Sequence, residues 1–209
     1  MLASAMTSAL LIPNGVDVEL FAPGDRAEAR ARLGLPQTGR ILVFAAQGAR
    51  TNPFKDFETL RGALRRLGEV AVAVALGEAG EDEHLGNVRL CSEPFADRER
   101  VATYLRAADA YVHATRADNH PLAVLEALAC GVPVVSADVG GIAEQVTHET
   151  GLLVPVGDAS ALAEGIESLF ADDERRARMG AAAATDARDR FSLDRQVDAY
   201  LQLYDELTS

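Results

Sequence analysis

Two carboxylates, Asp118 and Glu126, are separated by seven residues in the segment HATRADNHPLAVLEALACGVPVV. Pro121, between them, fits the first position of a helix, because its fixed φ is helical and the N–H it lacks would be unpaired there anyway. With Asn119 or His120 as the cap ahead of it, Asp118 falls in the preceding loop and Glu126 in the second helical turn. The unpaired backbone N–H groups of the first turn then lie between the carboxylates. Such an N-terminus attracts phosphate, by roughly 0.3–1 kcal/mol at an exposed end. Carboxylates on both sides of an anion seat suit a ligand with hydroxyls on both sides of a phosphate, and a nucleotide sugar has that layout. The same residues also fit a simple capped helix, with Asp118 solvated and Glu126 on a polar face.

A diphosphate also needs local positive charge, since the chain carries 20 Lys plus Arg against 32 Asp plus Glu, a formal charge of −12. Lys55 is the one lysine beside nineteen arginines, and Arg50 precedes it by five residues. A compact, strongly solvated ammonium kept in an otherwise arginine-only chain suggests a specific contact, although a first-turn surface lysine reads the same way. The acidic balance excludes a sequence-independent grip on nucleic acid. The two cysteines, Cys91 and Cys130, and the four histidines (His84, His113, His120, His148) show no metal-ligand spacing. No metal or cofactor is expected beyond the substrate itself. Residues 1–15 lack the basic flank of a secretion signal and no apolar run is long enough to span a bilayer, so a cytoplasmic setting is expected, at a membrane face if another part of the protein leads there.

The elements that must position these residues follow from hydropathy. Apolar runs at 41–46, 70–76, 88–91, 110–113 and 132–136 are too short for helices and read as buried strands. The stretches 54–67, 97–107 and 122–130 carry apolar residues at helical spacing. This alternation predicts an α/β fold: a doubly wound parallel sheet, Rossmann-like, with helices on both faces. After a strand at 152–156, helices are expected at 160–170, 173–190 and 193–207, with Asp158, Ser160 and Ser192 as capping residues. The last helix places Val197, Tyr200, Leu201, Tyr204 and Leu207 on one stripe, expected to pack on a core. Gly140 and Gly141 read as a tight turn or as room for a ligand. His113 reads as the buried end of a strand. Open sheets of this kind bind ligands beyond the carboxyl ends of their strands. Neither GxGxxG nor GxxxxGK[ST] occurs, which argues against dinucleotide oxidoreductases and P-loop enzymes.

With IPNGVD at 12–17, Phe21 and Pro23, Lys55, AADAYVHAT at 107–115, LEALACGVPVVSADVGGIAE at 125–144 and FSLD at 191–194, nearly the whole chain resembles the donor-binding domain of GT-B glycosyltransferases of the retaining family 4 type. The family's paired-glutamate motif has the same seven-residue gap, and here Asp118 replaces the first glutamate, one methylene shorter. The resemblance implies that Glu126 accepts from the ribose hydroxyls of a nucleotide diphosphate sugar and that Asp118 orients the transferred sugar. It implies that backbone groups of Asn119, His120, Pro121, Leu122 and Ala123 take the sugar hydroxyl and phosphates, that Lys55 and Arg50 neutralise the diphosphate, and that backbone around Leu90 meets the base. The Arg50 match is the weaker, since the family's Arg directly follows the strand.

The resemblance also implies an opening segment of about residues 1–24, a core of 25–190 and a crossover helix at 191–209, with a preceding acceptor domain absent. The acceptor, a glycan, lipid or small molecule, would then be met through that domain or a partner chain, and a homo-oligomer could cover the last helix. The expected function is the donor-binding half of a retaining glycosyltransferase. Alternatives are a nucleotide-sugar binding module without transferase activity, or an epimerase or phosphorylase of similar fold.

Overall fold

Alternate side chains of each short apolar run face opposite layers, which is why a fully buried strand needs no polar side. In β1 (Arg40–Ala45), Leu42 and Phe44 enter one core cluster while Val43 and Ala45 enter the other. The computed structural model describes residues 10–45, 48, 50–68, 71–77, 79–94 and 97–208. Before β1 comes α1 (Arg26–Leu33), and after it follow α2 (Phe57–Leu64), β2 (Ala71–Leu76), β3 (Glu83–Leu85), β4 (Val88–Glu93), α3 (Arg98–Ala107) and β5 (Ala110–His113). Then come α4 (Leu122–Ala129), β6 (Val134–Ala137), α5 (Ile142–Gln145), β7 (Gly151–Val154), α6 (Ala159–Phe170), α7 (Asp173–Phe191) and α8 (Leu193–Thr208). Helices α2 and α6 cover one face of the sheet, and α3, α4 and α7 the other. No helix among the described residues is long and apolar enough to cross a membrane.

The strands form one sheet in the order β3-β4-β2-β1-β5-β6-β7. All neighbours pair in parallel except β3, which runs antiparallel to β4 at the edge. The expected doubly wound parallel sheet is present, with β3 added as an antiparallel edge strand. Gly86 (φ 63°) and Asn87 make the two-residue turn joining β3 to β4, and glycine alone adopts that φ without strain. The chain crosses from β4 through α3 to β5, on the other side of β1, so the order reverses between β1 and β5.

Several boundaries differ from the sequence reading. Helix α1 was not anticipated; Asp25 caps it and Gly34, at φ 65°, ends it. Helix α2 begins at Phe57 rather than 54, because the Asp56 side chain accepts from the Thr59 N–H and so starts the helix there. Asp158 caps α6, whereas Ser160 lies inside it. The stripe on α8 does not pack on a core: no residue of α8 is buried, and Tyr200 (41% exposed) and Leu207 (73%) show its range. Residues 1–9, 46 and 70, included in the expected opening segment and strands, lie outside the described residues.

The sheet is anchored at its amino end by a buried charge. Asp109, at the start of β5, takes Arg30 Nη2 of α1 on Oδ2 at 2.7 Å, with side chains 3% and 6% exposed. Its Oδ2 also accepts from the Ile41 N–H at 2.8 Å, and Oδ1 lies 3.1 Å from Arg26 and 3.8 Å from Arg176 of α7. One carboxylate thus ties α1, β1, β5 and α7. Removing it leaves the buried Arg30 guanidinium without a carboxylate among the described residues, which is costlier than never having buried it, while Arg176 keeps Asp173 at 2.7 Å. We expect Asp109→Ala to lose about 3–5 kcal/mol of unfolding free energy in urea titrations; a loss below about 1 kcal/mol would show that the network contributes little.

Candidate functional site

The site lies where the strand order reverses, since crossovers leaving β1 and β5 in opposite directions open a crevice beyond their carboxyl ends. Two loops border it, the described residues 50–56 after β1 and residues 114–121 after β5. They are stitched together: the Asp56 N–H donates to the Ala114 carbonyl (3.1 Å), and the Phe54 carbonyl accepts from the Arg116 N–H (2.8 Å) and the Thr115 hydroxyl (2.8 Å). Asp56 itself is buried and accepts from Arg116 Nη2 at 3.2 Å. This stitching sets Lys55 against Asp118, with Nζ 2.6 Å from Oδ2.

The loop carrying Asp118 is held from below by two glycines. A Cβ at Gly140 would collide with the Asp118 carbonyl oxygen, and one at Gly141 with that of Asn119. Gly140 also has φ 59°. The pair thus gives room to the site loop's own backbone, a close approach that local sequence could not distinguish from a turn.

Pro121 is the N-cap of α4, not its first residue, and no side chain caps the helix. Its first-turn N–H groups, at Leu122 and Ala123, therefore face the crevice end without a side-chain acceptor, as an anion seat requires. Neither Asn119 nor His120 serves as the cap. Asn119 is exposed. His120 is locked by Gln145, whose Nε2 donates to its Nδ1 at 3.0 Å and to the Pro121 carbonyl at 3.2 Å, and by edge contact with Phe191 at 5.6 Å. Asn14 Nδ2 donates to the His120 carbonyl at 2.9 Å, tying the IPNGVD segment to the loop.

The two carboxylates occupy opposite electrostatic states. Burial works to raise the Asp118 pKa, but the hydrogen bonds from His113 and Lys55 outweigh it and bring it down to about 2. Glu126 has no hydrogen bond or ion pair to its side chain among the described residues, and burial pushes it up to about 7, with only the charge of Arg98 opposing.

Arg50 is committed elsewhere: Nη1 meets Glu83 at 2.6 Å, Nη2 meets Ser92 Oγ at 3.2 Å, and the guanidinium covers the Phe57 ring at 4.8 Å. The structure does not bring Arg50 to Asp118. Leu90 lies in the core between β2 and β3, paired with Ala73 and Glu83, so its own side chain offers nothing to a base; the β4 edge left open beyond β3 begins at Cys91. Sequence reasoning missed His113, Gln145 and Arg98 as members of the site. His113 carried the signal of a polar side chain inside an apolar run, whereas Gln145 and Arg98, each beside other polar residues, carried none. Among the described residues no group of three or more His, Cys, Asp and Glu is gathered as a metal cage.

Comparison with known proteins agrees with this geometry. Residues 25–186 match the family described as glycosyl transferases group 1. Over 95% of the chain, the sequence is 35% identical to the D-inositol 3-phosphate glycosyltransferase of Xylanimonas cellulosilytica, of which it spans 51%. The Mycobacterium leprae protein of the same name is 35% identical over 91% of the chain and 47% of its own length. The chain thus spans about half the length of these curated relatives. Among solved structures, sucrose-phosphate synthase from Thermosynechococcus elongatus superposes with TM-score 0.83 at 29% identity, covering 95% of this chain and 52% of that one. The C-terminal domain of a group 1 glycosyl transferase from Francisella tularensis, at 18% identity, shares the fold with TM-score 0.68, covering 86% of this chain and 100% of that one. With a sheet that reverses at β1 and β5 and a family match across most of its length, the chain belongs to the group 1 glycosyl transferases.

Proposed function

We propose that this chain is the donor-binding half of a retaining glycosyltransferase of the family 4 type, acting on a nucleotide diphosphate sugar. The observation that carries the reading is the arrangement around α4: an uncapped helix N-terminus with Lys55–Asp118 on one side and the unpartnered Glu126 one turn in. Anabaena HepE, whose fold this chain shares at TM-score 0.79 and 24% identity, was solved in complex with UDP-glucose. In this reading the diphosphate meets Lys55 and the α4 N–H groups, the ribose hydroxyls donate to Glu126, and Asp118 orients the sugar. The acceptor hydroxyl then attacks C1 on the face the diphosphate leaves: the new O–C1 bond forms as the C1–O phosphate bond breaks, and the acceptor's proton passes to the departing phosphate oxygen. No side-chain nucleophile is required, and the leaving charge is stabilised by fixed donors. The acceptor site belongs to a further half, and the exposed stripe of α8 is where that half seats.

Glu126→Gln is expected to weaken binding of whichever of UDP, GDP and ADP the chain takes by about 1.5–3 kcal/mol in calorimetric titration. Unchanged affinity would remove Glu126 from the site. The same substitution has a signed effect on the free chain. A carboxyl raised from 4.5 to about 7 binds more protons folded than unfolded, so wild-type stability falls as pH rises across that window. At pH 8 the glutamine variant is expected to be the more stable by on the order of 2 kcal/mol, and at pH 4 the two should match. Urea unfolding at both values reads the difference.

Nucleotide binding is expected to survive chelator, because Lys55 and the α4 N–H groups supply the positive field; a strict need for Mg²⁺ or Mn²⁺ overturns that account. The chain alone is expected to transfer little sugar from labelled donor, because positioning the acceptor supplies up to ~7–11 kcal/mol of such a barrier. Robust transfer without a further half would show that the chain holds its own acceptor site.

A further inference from the structure

Two donors converge on one oxygen of Asp118. Lys55 Nζ lies 2.6 Å and His113 Nε2 3.3 Å from Oδ2, and no hydrogen bond among the described residues reaches Oδ1. The donors differ in kind. Lys55 sits on a flexible four-carbon stem with three N–H groups, and the arriving diphosphate competes for them. His113 is the last residue of β5 and 1% exposed, its ring stacked on Tyr111 with 22° between planes. It cannot move without the sheet. An aspartate, one methylene shorter than the glutamate of the family pattern, also has less reach with which to find its own position.

The chemistry of the contact sets the tautomer. A carboxylate only accepts, so Nε2 must carry the proton, and in a neutral ring Nδ1 is then bare. The Tyr111 hydroxyl donates to the Ala45 carbonyl at 3.3 Å and lies 3.4 Å from Nδ1, so its one proton is shared between that carbonyl and the bare nitrogen. Burial disfavours the imidazolium and Lys55 adds repulsion, while Asp118 alone opposes them.

We infer that His113 is a positioning residue for Asp118: as the neutral Nε2–H tautomer it holds Oδ2 while Lys55 turns to the diphosphate, and so keeps Oδ1 presented to a hydroxyl of the donor sugar. The inference rests on the donor-site reading above and adds to it a residue that no part of the seven-residue spacing names. His113 acts on the sugar only through Asp118, so its loss weakens the nucleotide sugar and spares the nucleoside diphosphate.

The test uses the 209-residue chain with His113→Leu, and with His113→Gln, whose amide nitrogen reaches about as far as Nε2. Long-range ¹H–¹⁵N spectra should show the Nε2–H tautomer in the wild type across about pH 6–8. Carbon-detected titration should find Asp118 near 2 in the wild type, clearly higher in the leucine variant and low again in the glutamine variant. Calorimetry with UDP-glucose, GDP-mannose and ADP-glucose beside UDP, GDP and ADP should show the leucine variant losing about tenfold for the sugar nucleotide that binds and under about twofold for its diphosphate, with glutamine restoring most of the loss. An Nδ1–H tautomer, an unmoved Asp118 titration in the leucine variant, or equal losses for sugar nucleotide and diphosphate would overturn the inference. If no nucleotide of either kind binds while His113 and Asp118 titrate as stated, the donor-site reading is overturned and the hold of His113 on Asp118 stands.

Discussion

The pairing of β1 with β5 is the contact on which the site depends. Leu42 aligns with Ala110 and Val43 with Tyr111, in a ladder buried on both faces. Because parallel neighbours cannot be joined directly, each strand leaves through its own crossover, and here the two crossovers diverge. The gap between them is a geometric consequence rather than a hole cut in a core. Lys55 and Asp118 are 63 residues apart in sequence and meet because their loops leave adjacent strand ends and share the Phe54 and Ala114 carbonyls.

Two carboxylates of the same chemical class end up in opposite electrostatic states because their surroundings differ. Asp118 is met by one ammonium and one imidazole N–H on a single oxygen, whereas Glu126 is half-buried with no donor of its own. The first is held ionised. The second is pushed up to about 7 by burial, with only the charge of Arg98 opposing. Perturbed pairs of this kind cluster at functional sites. In a chain of charge −12, the contrast also explains why the cation beside Asp118 is a lysine, free to redistribute its three N–H groups, while Arg50 and Arg116 are spent on Glu83 and Asp56.

The periphery separates anchoring from docking. Asp109 binds helices to the amino end of the sheet through buried guanidinium contacts, leaving the carboxyl end to the loops. Val16 bridges to Ser192, and the Gly15 N–H donates to Gln196 Oε1 at 3.0 Å, so the opening segment fastens the base of α8. The rest of α8 extends with its apolar stripe uncovered among the described residues.

By itself the sequence determined the alternation of buried strands and helices, the helix opening at Pro121 with its flanking carboxylates, and the isolated Lys55. Each of these is a local pattern in which neighbouring residues share one element, and hydropathy and fixed φ act over those distances. Even β3 had a local signal, the Gly86-Asn87 turn between apolar residues, which went unread because the strand is three residues long. Tertiary structure alone decided what the loops do to each other. That Gly140 and Gly141 make room for the carbonyls of Asp118 and Asn119, that His113 shares an oxygen with Lys55, and that Arg50 turns away to Glu83 all depend on groups from segments distant in sequence meeting within a few ångströms. It also decided that the α8 stripe stays bare, because an amphipathic pattern specifies that a face must be covered, not what covers it.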